Sequence, residues 1–84
     1  MINQQELDYL YDEVELWIQN EEPYYLQFNK VKWSYRLVKS LVTKIINDHD
    51  FSEYKTTIMY IRKVTKRLME EYKNEWHKSF KRYC

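Results

Sequence analysis

Residues 24–45, YYLQFNKVKWSYRLVKSLVTKI, place large apolar side chains at Tyr24, Phe28, Val31, Tyr35, Val38, Val42 and Ile45. Successive steps of 4, 3, 4, 3, 4 and 3 keep these residues on one face of an α-helix. Leu37 and Leu41 widen that face, as a helix touching two neighbours requires. Pro23 lies just ahead and suits a first helical turn, where its missing N–H would be unpaired anyway. A rival pattern runs through the same stretch. Val31, Trp33, Tyr35 and Leu37 alternate with Lys30, Lys32, Ser34 and Arg36, which is the period of a strand. No second strand is available to pair with it, so the segment reads as one helix over about residues 24–47.

Upstream, Asn3 followed by Glu6 has the spacing of a capping box. Leu7, Leu10, Val14, Trp17 and Ile18 then share one face, with Asp8, Asp12 and Glu15 on the opposite stripe. This predicts a first helix over about residues 4–20, ending before Glu21, Glu22 and Pro23. Downstream, Asp50 and Glu53 repeat the capping-box spacing. Tyr54, Ile58, Ile61, Val64 or Thr65, Leu68, Tyr72, Trp76 and Phe80 form the face of a third helix over about residues 51–82. Such a helix would be roughly 45 Å long at about 1.5 Å per residue. The fold expected is all-α, a single domain over residues 1–84: a small three-helix bundle with a long antiparallel hairpin of its second and third helices.

Composition narrows the function. The 84 residues contain no glycine, where average usage gives roughly six. A phosphate-cradling loop, a dinucleotide fingerprint and a nucleophile elbow all depend on glycine, so those enzyme families are excluded. Tight β-hairpins are disfavoured for the same reason. No run of about 18 apolar residues is present, so no membrane span is expected. The start, Asn3 to Glu6, lacks the basic and apolar regions of a secretory signal. Cys84 is a single cysteine without an internal disulfide partner, which fits a reducing, cytoplasmic setting.

The net charge of +1 hides a segregation. Residues 1–22 carry seven acids and no Lys or Arg, for −7; residues 23–61 carry six bases and three acids, for +3; residues 62–84 carry eight bases and three acids, for +5. Lys32, Arg36 and Lys39 form one basic stripe, and Lys55, Arg62, Lys66 and Lys73 form another. These are the candidate nucleic-acid contacts. An acidic first helix packing beside two basic ones explains the same asymmetry within the fold.

No catalytic residue, cofactor or metal site is expected. His49 between Asp48 and Asp50 reads as part of a capping turn. His77 lacks the helical spacing of a His–Glu metal site. Ser34, Ser40, Ser52 and Ser79 lack a nucleophile context. The C-terminal mixture of Tyr72, Trp76 and Phe80 with Lys73, Lys78, Lys81 and Arg82 resembles an interfacial helix, but Glu70, Glu71 and Glu75 oppose an anionic surface. Aromatic residues make up 18% of the chain, enough to supply both a core and a recognition surface. Tyr72, Trp76 and Phe80, on the stretch of the third helix that shorter neighbours leave uncovered, are the candidate partner-binding residues. The expectation is a non-enzymatic protein that binds a protein partner and regulates or inhibits it, with a homodimer as one form of that pairing. Its Lys-, Asn-, Tyr- and Ile-rich make-up suits a phage or mobile-element protein. A nucleic-acid-binding accessory protein is the alternative.

Overall fold

The computed structural model describes residues 2–30 and 34–72, with backbone alone at residues 29 and 30. Among the described residues the protein is all-helical and has no strand. It is a small bundle of four helices: α1 (Gln4–Asn20), α2 (Glu22–Lys30), α3 (Tyr35–Asp48) and α4 (Ile58–Tyr72). The expected count of three is corrected.

α1 starts where the Asn3 spacing places it. The Asn3 side chain accepts from the backbone N–H groups of Gln5 at 2.9 Å and Glu6 at 3.2 Å. The second half of the capping box closes through another helix. The Tyr60 hydroxyl accepts from the Asn3 N–H at 2.9 Å and donates to the Glu6 carboxylate at 3.2 Å. The first turn of α1 is thereby tied to α4.

The single helix expected over residues 24–47 is broken. Ser34 is extended, at φ −121° and ψ 129°, and its carbonyl accepts from the Val38 N–H at 3.0 Å as the N-cap of α3. An extended residue cannot lie inside a continuous helix, and this one begins α3. The local pattern lost to packing. A straight helix over that range would measure about 36 Å against about 25 Å for α1, whereas two shorter helices can each lie against it. The break also changes Tyr35. Its seam companions Tyr24, Phe28, Val38, Val42 and Ile45 are buried, but Tyr35 is 40% exposed. Val31, Lys32 and Trp33 lie outside the described residues.

The third expected helix starts late. The Asp50 carboxylate accepts from the Ser52 N–H at 3.0 Å, a local turn rather than a helix cap. A second turn follows, with the Tyr54 N–H donating to the Phe51 carbonyl at 3.0 Å. Phe51 is buried and pins this segment to the core. α4 opens only at Ile58, with the Thr57 carbonyl accepting from the Ile61 N–H. The part of the expected helix beyond Tyr72 lies outside the described residues.

The antiparallel hairpin is also corrected. At one end of α1, Asn3 and Glu6 meet Tyr60 near the start of α4, and Ile2 shares a hollow with Tyr35 at the start of α3. At the other end, Gln19 meets Tyr72 at the end of α4, and Trp17 stacks on His49 just past the end of α3. Both helices therefore run in the same sense as α1. Residues 49–57 carry the chain back along α1, with His49 stacked on Trp17 and Tyr54 stacked on Tyr9. A connection of that length reaches far enough to return the chain, which a tight turn could not do. Leu10, Val14, Val38, Val42, Ile45, Val64 and Leu68 form the fully enclosed centre. The buried Thr65 hydroxyl is satisfied by the Ile61 carbonyl at 2.8 Å.

Candidate partner-binding surface

Two faces of α4 differ in how their side chains are engaged. The inner face meets the acidic helix. Arg67 donates to Asp8 at 2.6 Å and to Glu71 at 3.4 Å, and its guanidinium sits 4.1 Å from the centre of the Tyr11 ring. Tyr11 is buried and its hydroxyl donates to Glu71, with Glu15 at 3.3 Å. The Tyr72 hydroxyl donates to Glu15 and accepts from Gln19 Nε2, both at 2.8 Å. Burial raises both phenols above their ordinary value, and the carboxylates Glu71 and Glu15 reinforce the protonated forms of Tyr11 and Tyr72 respectively. Asp8 is held below the usual carboxylate range by the Gln4 side chain and by Arg67. Two of the three acids assigned to the outward stripe of α1, Asp8 and Glu15, thus face α4 instead.

His49 is similarly engaged. Its ring stacks on Trp17 at 3.7 Å between centres, inclined by 13°, and meets Tyr24 edge-on at 5.6 Å. The Tyr24 hydroxyl donates to the Asp48 carboxylate at 3.1 Å and is hydrogen-bonded to His49 Nε2 at 2.8 Å. Among the described residues, no group of three or more His, Cys, Asp and Glu side chains is placed to hold a metal ion. No helix among them is long and apolar enough to cross a membrane.

The outer face is different. Tyr35 on α3 and Ile58 and Met59 on α4 are all 40% exposed or more; Leu37, also exposed, lies two positions on from Tyr35 and so on the opposite flank of α3. A hollow of about 190 Å³ is lined by Ile2, Tyr35, Met59, Arg62, Lys63 and Lys66. A second hollow, of about 530 Å³, shares Ile2 and Met59 with the first and extends to Asn3, Glu6, Lys55, Thr57, Ile58 and Tyr60. Together they make a shallow groove with an apolar floor and a basic rim. None of Lys55, Arg62, Lys63 and Lys66 forms an ion pair among the described residues.

Of the candidate nucleic-acid contacts, Lys55, Arg62 and Lys66 come together at this groove. Arg36 is exposed on α3 and Lys39 half-buried, and neither lines it. Lys32 and Lys73 lie outside the described residues. Tyr72 is engaged with Glu15, Gln19 and the edge of the Phe28 ring, while Trp76 and Phe80 lie outside the described residues. Sequence reasoning missed Ile2, Met59 and Lys63 and assigned Tyr35, Leu37 and Ile58 to the core, whereas all three of these are exposed. The extended Ser34 that turns Tyr35 outward has no signal in the sequence, since its side chain makes no capping bond. No family model, no curated protein and no solved structure matches the chain.

Proposed function

We propose that the protein is a non-enzymatic binding module that docks on a protein partner through the outer face of α3 and α4 and so regulates or inhibits that partner. One observation carries the reading. Tyr35, Ile58 and Met59 stay exposed and line adjoining hollows with Ile2, although Val38, Val42, Ile45, Val64 and Leu68 of the same two helices are fully enclosed. A contiguous apolar patch beside polar residues is the usual mark of an interface. Affinity purification from native lysate, with and without nuclease, tests it. A protein retained after nuclease by the wild type and lost with Met59→Asp is the expected result. Loss of all retained material on nuclease treatment overturns it.

The exposed cations Arg36, Arg62 and Lys66 favour a second reading, a nucleic-acid-binding accessory protein. Phosphate contacts release counterions, so affinity would fall steeply with salt. Changing Arg36, Lys39, Arg62 and Lys66 to Glu would then abolish retention on heparin, DNA and RNA; unchanged retention removes this alternative. A second copy of the chain is a further form of the protein-partner reading, with Trp76 and Phe80 as its contacts. Light scattering under reducing conditions measures it: a dimer mass that reverts to monomer in Trp76→Ala supports it, and a monomer mass in the wild type removes it.

A further inference from the structure

We infer that the groove where Ile2 and Met59 meet receives an acidic peptide segment of the partner, whose apolar anchors sit on Ile2, Tyr35 and Met59 and whose carboxylates meet Lys55, Arg62 and Lys66. This rests on the partner-binding reading above and adds the chemistry of the segment recognised.

The charges argue for the acidic character. Arg62 and Lys66 stand one turn apart on α4, with Lys63 between them, and none has an ion-pair partner among the described residues. Like charges at that spacing repel along a helix. An occupant bearing carboxylates relieves the repulsion and gains three or four charge-assisted contacts. Among the described residues Glu6 is the single acid lining the groove, and it makes no ion pair with the rim, so the four cations Lys55, Arg62, Lys63 and Lys66 outnumber it.

The floor argues for a peptide. A strand of nucleic acid needs rings on which successive bases stack. Among the described residues Tyr35 is the only exposed ring lining the groove, and the rest of its apolar floor is the half-buried Ile2 with the exposed Ile58 and Met59. Aliphatic side chains, methionine above all, adapt to the Leu, Ile or Phe anchors of a partner segment. The arrangement is an apolar slot with a cationic edge, complementary to an amphipathic segment whose polar face is acidic.

The test pans random displayed peptides against the wild-type protein and against the double variant Met59→Asp, Arg62→Glu. Both positions are exposed, and a circular dichroism melt matched to wild type establishes that the variant is folded. Wild type should enrich peptides that combine Asp or Glu with Leu, Ile, Phe or Trp. The double variant should bind those peptides roughly tenfold more weakly or worse, a loss of about 1.4 kcal/mol. Raising salt should weaken wild-type binding as well. Neutral or basic peptides, equal affinity for the variant, or tighter retention of a single-stranded oligonucleotide than of any selected peptide would each overturn the inference. These failures are distinct from failure of the partner-binding reading, which shows as no protein retained from lysate after nuclease.

Discussion

The seam between α1 and α4 and the outer face of α3 and α4 use the same kinds of residue for opposite ends. Along the seam, Tyr60, Tyr72 and Arg67 each find a partner on α1, and Tyr11 of α1 finds Glu71 on α4. On the outer face, Tyr35, Met59, Arg62 and Lys66 form no ion pair or ring contact among the described residues. Aromatic and basic residues alone therefore do not mark an interface; what marks it is the absence of a satisfying neighbour. Stability should concentrate in the first region and recognition in the second.

Four experiments can break or sharpen this contrast. The largest effect is expected from Leu68→Ala, because Leu68 is fully enclosed where α4 meets the core. Chemical denaturation should show a loss of about 2–5 kcal/mol; a loss below about 1 kcal/mol would mean that α4 is not anchored as described.

Alkaline pH comes next. The folded state holds Tyr11 and Tyr72 protonated above their ordinary value, through burial first and the neighbouring carboxylates second. A folded pKa raised above the unfolded one gives stability that is complete below the unfolded value, about pH 10, and declines as pH rises beyond it. Tyr11 alone should contribute a slope of about 1.4 kcal/mol per pH unit in that range, and denaturation midpoints in Tyr11→Phe should fall less steeply. Equal slopes in the two proteins would remove Tyr11 from the account.

At neutral pH, Tyr11→Phe should lose about 1.5–3 kcal/mol, the net value of a hydrogen bond to a charged group. A double-mutant cycle with Glu71→Gln measures the coupling directly, and additive losses would show that the two groups do not interact. The smallest effect is expected on the outer face. Met59→Ala and Arg62→Ala should each change stability by less than about 0.5 kcal/mol while weakening partner retention. A loss of stability well beyond that range would make the groove part of the core.

Legibility followed the range of the forces involved. α1 was readable because its signals are local: the Asn3 cap and the Leu7, Leu10, Val14 and Ile18 stripe both act within a few residues. The inward faces of α3 and α4 were readable too, through Val38, Val42, Ile45, Ile61, Val64 and Leu68. The break at Ser34 was not, because its side chain makes no capping bond and the heptad pattern continues across it. The Asp50 spacing misled for a related reason. Its carboxylate serves the Ser52 N–H, and the choice between turn and cap depends on Phe51 being held by the core. The groove depended on both errors being resolved, since it joins Ile2, Tyr35 and Met59 from three separate parts of the chain.

The return of the chain along residues 49–57 also shapes how the molecule folds. The seam joins residues far apart in sequence, with Asp8 and Arg67 separated by 59 positions and Tyr11 and Glu71 by 60. A helical bundle joined by tight turns folds fast because most of its contacts are local. Here the acidic face of α1 must wait for the last described helix, and a loop spanning most of the protein closes before those contacts repay its entropy. Refolding should therefore be slower than in a helical bundle of the same length whose helices are joined by tight turns, which stopped-flow mixing measures.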